Sequence, residues 1–431
     1  MFSMPHILYN AFMKQLHFPK DFLWGAATAS HQVEGGTIND WSEWERANAD
    51  RLARSAASKF DHLPGWTENF GAEAARPENY ISGIAVDHYH RFEEDFDIAK
   101  SLHHTAHRFS IEWSRVEPEK NRFDEQEIAH YQNVVRALRA RNIEPFVTLW
   151  HWTLPLWLAK EGGMLAPRFP EYFSRFAEKM AHTLGNDVTF WVTLNEPDVV
   201  TGHVYLKAVW PPQEKGFLKY FRANLSLIRA HKKAYDVIKK NVPNAQIGIA
   251  KHQLSFELGK NTFINRTLKV SAHYFWNQWF LNRLRNHQDF IGLNHYNRNM
   301  IDNGFYKNPN ERLTEFGWEF FPESIYQALI ELKPYKKPIY ITENGLADRS
   351  DTLREEFLTR ALTAVHRAIT DGAEVKGYLH WSLLDNFEWD KGFWPCFGLV
   401  AVDRATQQRT IRQSAKYYAE ICKKNVLETP D

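Results

Sequence analysis

Apolar, β-branched or aromatic runs of strand length recur along the chain with helical segments between them. That order is expected of βα units wound around a parallel sheet. Eight runs, at 23–28, 105–110, 144–150, 189–194, 246–251, 289–294, 338–342 and 375–381, predict buried barrel strands. The intervening helices carry their own signals. Segment 170–184 opens with Pro170 at a first-turn position, repeats Phe173, Phe176, Ala177, Met180 and Leu184 at helical spacing, and stops at Gly185. Segment 353–371 repeats Phe357, Leu358, Ala361, Val365, Ala368 and Ile369 before Gly372. Asp124 and Glu127 form a cap pair ahead of Ile128, Tyr131, Val135 and Leu138.

Eight strands with helices between them predict a single (β/α)8 TIM barrel, an α/β fold, with enlarged βα loops on its catalytic face. Residues 49–80, rich in Ala, Gly, Pro and polar residues and without visible periodicity, read as one such loop beside the active site. No linker, repeat or low-complexity block divides the chain, so residues 1–431 are expected to form one domain.

Composition narrows the function classes. The 431 residues include 53 Lys+Arg and 52 Asp+Glu, so net charge gives no footprint of a nucleic-acid or anionic-membrane partner. The basic run around Lys232, Lys233, Lys239 and Lys240 reads as a solvated helix face. An aromatic content of 15% suits both a large core and the flat apolar platforms on which sugar rings stack. Cys396 and Cys422 are too few for a disulfide framework, and their surroundings hold no zinc spacing. The start, MFSMPHILYNAFMKQLHFPKDF, lacks the pattern of a secretory leader, and the longest charge-free aromatic run, near 145–159, is too short and polar to span a bilayer. A cytoplasmic location with no membrane partner is the expectation.

Two carboxylates stand out by position. Glu196 in WVTLNEP follows the fourth strand, and Glu343 in PIYITENG follows the seventh. The C-terminal strand ends of a barrel surround one pocket, so these side chains can face one substrate. A pair of carboxyl groups is the equipment of glycosidic-bond cleavage: one protonates the leaving oxygen and the other attacks the anomeric carbon. Each Glu alone could equally cap a strand end or pair with an arginine.

With these motifs in place, the sequence closely resembles glycoside hydrolase family 1, the retaining β-glucosidases and β-glycosidases. The resemblance runs in order through FPKDFLWGAATASHQVEGG, HRFSIEWSR, TLWHWTLP, TLNEP, GLNHY, GWEFFPE, YITENG, WSLLDNFEW and GLVAVD, covering nearly the whole chain. It implies that Glu196 is the general acid/base and Glu343 the nucleophile, with Arg108 and Tyr296 orienting Glu343. It further implies that Gln32, His151, Asn195, Glu388, Trp381 and Trp389 bind the sugar at the nonreducing end, Trp381 as a stacking platform. The implied activity is hydrolysis of terminal β-D-glucosyl, and also galactosyl or fucosyl, residues in small β-glycosides or oligosaccharides, with no cofactor. A transglycosylase using the same intermediate, and a non-catalytic sugar-binding barrel, are the alternatives.

Several features qualify this reading. Phospho-β-glycosidases of the family grip a 6-phosphate with cations in the region of DNFEWDKGFWP, where this chain has Asp385, Glu388 and Asp390 against Lys391, so an unphosphorylated sugar is expected. His295 and Cys396 depart from the usual pattern, and the short stretch 253–288 implies a wider aglycone site. The pairs His88/His90 and His103/His104 lack the carboxylates and strand-end placement of a metal site and read as helix-surface and interface residues.

Overall fold

The structure is a computed structural model that describes residues 13–430; the amino-terminal stretch read for a leader falls largely outside the described residues. Eight parallel strands close into a barrel in chain order: β1 (Leu23–Ala27), β2 (Ala106–Ser110), β3 (Glu144–Trp150), β4 (Phe190–Asn195), β5 (Gln246–His252), β6 (Ile291–Asn294), β7 (Ile339–Asn344) and β8 (Val375–Trp381). All eight predicted runs are strands, with ends displaced by no more than two residues. The seam between β8 and β1 is paired in register from Gly377↔Leu23 to Trp381↔Ala27.

The barrel is filled, as its residue types require. Phe146 and Phe190 stack with ring centroids 4.2 Å apart, and Phe290 and Tyr340 pack edge-on against them. This aromatic layer, with Ala106, Leu379, Val192 and Ala250, seals the interior below the strand ends. The polar side chains that line the cavity lie above it, at the C-terminal ends.

Helices cover the outside. The principal ones are α1 (Asp40–Phe60), α2 (His88–Ser101), α3 (Glu125–Ala140), α4 (Phe169–Leu184), α5 (Phe217–Asn241), α6 (Phe263–Ala272), α7 (Ile325–Leu332), α8 (Arg354–Thr370) and α9 (Gln413–Lys424). In α4, Phe169, Phe173, Phe176, Met180 and Leu184 are buried, each large side chain contributing roughly 2 kcal/mol by leaving water. At the start of α3, Asp124 accepts hydrogen bonds from the backbone N–H groups of Gln126 and Glu127. Below the barrel, Met13–His17 pairs antiparallel with Val426–Pro430.

Two expectations are corrected. Residues 49–80 are not an irregular loop: α1 runs to Phe60, and short helices occupy Trp66–Phe70, Gly71–Ala74 and Pro77–Tyr80. The helix starts earlier than the composition shift, at an Asn39–Ser42 capping box, and Trp41, Ala49, Leu52 and Ala56 form its buried face. Alanine-rich composition there signals helix propensity rather than a loop. The histidine pairs split: His90 and His103 are exposed, but His88 is buried against Asp95 at 2.7 Å, and His104 is buried in the core. Among the described residues no helix is long and apolar enough to cross a membrane.

Candidate active site

A cavity of about 500 Å³ opens at the C-terminal ends of the strands. Of the side chains singled out from sequence, Gln32, His151, Asn195, Glu196, Tyr296, Glu343, Trp381, Glu388 and Trp389 all line it. Arg108 lies immediately behind, fully buried.

Local backbone irregularity aims the two carboxyl groups. Alternation along β4 turns Phe190 and Val192 into the barrel, and along β7 it turns Tyr340 and Thr342 inward. Each strand then shifts register, between Val192 and Asn195 in one and after Ile341 in the other. A shift of this kind re-aims the residues that follow it. Asn195 and Glu343 consequently face the cavity, and the left-handed backbone of Glu196 brings its side chain there as well. Glu196 has left-handed backbone (φ 42°, ψ 56°), a conformation that costs a non-glycine residue of order 1 kcal/mol, and its N–H is tied to Ala250 O at 2.8 Å. Beyond Glu343, a Cβ on Gly345 would lie 2.0 Å from the Trp381 carbonyl oxygen, so only glycine lets the chain pass β8 there.

The carboxyl groups have unequal surroundings. Glu343 accepts from Arg108 Nη1 at 2.5 Å and from the Tyr296 hydroxyl at 2.6 Å. Glu196 accepts from Asn294 Nδ2 at 2.8 Å and forms no ion pair among the described residues. Burial raises the pKa of both, but Arg108 and Tyr296 oppose the rise at Glu343, whereas the charge of Glu343 adds to it at Glu196. A proton shared by the pair therefore resides on Glu196. Burial also keeps the Tyr296 phenol protonated, as its donor role requires.

Asn195 joins this pair to the sugar-facing side. Its Oδ1 accepts from Arg108 Nη2 (2.8 Å) and Asn294 Nδ2 (3.0 Å), and its Nδ2 donates to His151 Nε2 (3.0 Å). The His151 ring lies nearly parallel to both Trp381 and Trp389, centroids 6.0 Å away in each case, and burial holds it neutral. Across the cavity, Gln32 Nε2 donates to Asn386 Oδ1, Phe387 O and Glu388 Oε2. Gln32 Oε1 and His151 Nδ1 are buried without a hydrogen-bond partner among the described residues. Burial carries Glu388 up to about 8, so its carboxyl is largely neutral near pH 7.

Several contributors escaped the sequence reading. Asn294 links Glu196 to Asn195 and was visible only as the strand-end residue of GLNHY. Trp152, Lys207, Trp276, Phe316 and Trp318 also line the cavity. A further unforeseen feature is a buried ion pair next to Glu196: Lys251 Nζ donates to Asp198 Oδ2 at 2.8 Å, both side chains almost wholly enclosed. Lys251→Met would strand the Asp198 carboxyl, and the expected loss in urea unfolding is about 3–5 kcal/mol. Lys251→Met combined with Asp198→Asn should recover most of it. A single-variant loss below about 1 kcal/mol would refute the pair's importance.

The profile of Glycosyl hydrolase family 1 matches residues 14–284 and 277–427. A 1,4-β-D-glucan glucohydrolase from Thermotoga neapolitana is 33% identical over 466 residues, covering 95% of this chain and 99% of that protein. The solved β-glycosidase from Pyrococcus horikoshii superposes with a TM-score of 0.85 at 34% identity, over 96% of this chain and 97% of the other. A Thermotoga maritima β-glucosidase in complex with glucoimidazole gives 0.83 at 30% identity, over 95% and 100%.

Proposed function

The chain belongs to glycosyl hydrolase family 1 and is a glycoside hydrolase of the β-glucosidase type; from that premise we propose that it removes terminal β-D-glucosyl residues by double displacement through a covalent glycosyl-enzyme. The observation that carries this reading is the unequal environment of two carboxyl groups in one cavity. Glu343, held by Arg108 and Tyr296, is the ionised nucleophile, and Glu196, without a contacting cation, holds the proton.

In the first step a Glu343 oxygen bonds to the anomeric carbon while the glycosidic C–O bond breaks, and the Glu196 proton passes to the departing oxygen. Forming the ester removes the Glu343 charge, so the pKa of Glu196 falls and the group becomes a base. In the second step Glu196 takes a proton from water, whose oxygen displaces Glu343 and returns it as carboxylate. Asn195, fixed by Arg108 and Asn294, is placed to bond the 2-hydroxyl, an interaction that strengthens as positive charge develops on the ring. Gln32 Oε1, His151 Nδ1 and Glu388 supply partners for other ring hydroxyls, and Trp381 supplies the stacking face. The glucoimidazole complex of the Thermotoga maritima enzyme supports a glucosyl preference.

The test is stereochemical. Proton NMR of the first product released from a β-glucoside should show the β anomer; initial α anomer would overturn the assignment of Glu343 as nucleophile.

We further expect 6-phosphorylated glucosides to be poor substrates. Beside Glu388, Lys391 is taken up by Asp390 at 2.9 Å, and Lys207 faces His203 at 3.2 Å. Burying a phosphate dianion against a carboxyl group without a dedicated cation is costly. kcat/KM for a 6-phosphate should fall at least about 100-fold below that of its parent glucoside, equivalent to roughly 2.7 kcal/mol. Preference for the phosphate would refute this subsite.

A further inference from the structure

The near-zero net charge conceals a local segregation. No Asp or Glu occurs between Glu214 and Asp236, a stretch holding Lys215, Lys219, Arg222, Arg229, Lys232 and Lys233. None occurs between Glu257 and Asp289, which holds Lys260, Arg266, Lys269, Arg283 and Arg285. These stretches form α5 and the segment from α6 to Asn282, and the two meet where Phe221 of α5 packs edge to face against Trp279 at 6.0 Å.

On α5, Leu218, Arg222, Leu225 and Arg229 recur at helical spacing, and all four face solvent. On α6, Phe263, Arg266 and Val270 do the same, and Tyr274 continues the line on the next turn. Leu218 is 77% exposed and Phe263 76%, with Phe217, Ile264, Val270 and Phe275 each above half. A soluble surface does not ordinarily cluster so many large apolar side chains. Lys219 pairs with Glu214, Lys233 with Glu171 and Lys260 with Asp302, while Lys215, Arg222, Arg229, Lys232, Arg266 and Lys269 make no ion pair among the described residues.

We infer that this face docks on an anionic phospholipid surface, its apolar side chains entering the headgroup region and its unpaired Lys and Arg meeting lipid phosphates. Amphipathic helices bind bilayers through this combination of buried apolar area and cationic flank. A second copy is a poor occupant, because a two-fold dimer would press one basic face against its own image. Phe217, Phe263 and Phe275 are interspersed with the exposed aliphatic Leu218, Leu225, Ile264 and Val270, a mixture that suits acyl chains better than the stacked bases of a nucleic acid. The face also borders the catalytic cavity: the short helix at His273–Gln278 turns Phe275 to solvent and Trp276 into the cavity wall. Docking would hold the cavity mouth beside the lipid.

The full chain should co-float with vesicles of phosphatidylcholine containing one-third phosphatidylglycerol, at least about tenfold more than with pure phosphatidylcholine. Binding should be lost in 0.5 M salt, roughly a Debye length of 4–5 Å. Leu218→Ser with Phe263→Ser, and separately Arg222→Glu with Lys269→Glu, should each reduce flotation at least about tenfold. Turnover of a soluble aryl β-glucoside should stay unchanged in both, showing intact folding. Absence of flotation, equal binding to neutral vesicles, or unaffected variants would overturn the proposal. So would a dimer in light scattering that Phe263→Ser dissolves.

Discussion

Glu343→Ala should abolish turnover of every β-glycoside, by on the order of 10⁵-fold or more in kcat, irrespective of leaving group. No other group with a carboxylate's nucleophilicity takes its place: Arg108 is cationic, the Tyr296 phenol is held protonated, and Glu196 is committed to the departing oxygen. An activated aryl glycoside does not rescue the variant, since the missing partner is the one that attacks carbon. Azide in the emptied space should restore part of the rate by direct displacement and give the α-glycosyl azide. Steady-state rates with and without azide, followed by product NMR, check both parts; a β product from this variant would exchange the two roles.

The second large effect separates the steps. Glu196→Ala leaves Glu343 with Arg108 and Tyr296, so bond breaking survives whenever departure needs no proton. With an activated aryl glucoside the variant should show a burst equal to the enzyme concentration and then stall, its steady rate down by roughly 10²–10⁴-fold. With an alkyl glucoside the first step itself should slow comparably. Azide needs no deprotonation and should restart turnover, now giving the β-glycosyl azide. In the parent enzyme the alkaline limb of kcat/KM reports Glu196 in the free protein. Burial and the Glu343 charge raise that pKa, so the limb should lie well above the ordinary carboxylate range and vanish with Glu196→Ala for activated substrates. Accumulation of α azide, or a burst from Glu343→Ala, would sink the assignment.

The barrel could be read from sequence because its strands are buried on both faces and so appear as continuous apolar runs, while the helices announce themselves through Pro170, Asp124 and apolar spacing. The two carboxyl groups could be located because strand ends share one rim. Their orientation could not. Alternation by twos points Leu194 and Thr342 inward, and it takes the register shifts, with the left-handed turn at Glu196, to bring Asn195, Glu196 and Glu343 together at the cavity. The α1 error has another origin: a helix rich in Ala and Arg resembles a polar loop when composition is weighed before period. Asn294 and the Lys251–Asp198 pair were hidden because their meaning lies in contacts across strands distant in sequence. The segregated charge was legible in principle, and averaging over the chain erased it.

The seam between β8 and β1 bears on how the molecule is made. The edge of Leu23–Ala27 that faces away from β2 must wait for Gly377–Trp381, and the strand at Met13–His17 waits longer still, for Val426–Pro430. Contacts of such sequence separation carry the largest loop-closure cost and form late. During synthesis, strands β1 to β7 would exist as an open sheet with two unpaired edges, the arrangement most exposed to association with other chains. Glu196 and Glu343 emerge from the ribosome far apart in time, and the cavity they share is completed only when the ring closes. Catalytic competence is therefore expected as a single late event, with refolding activity appearing after most helical signal has recovered.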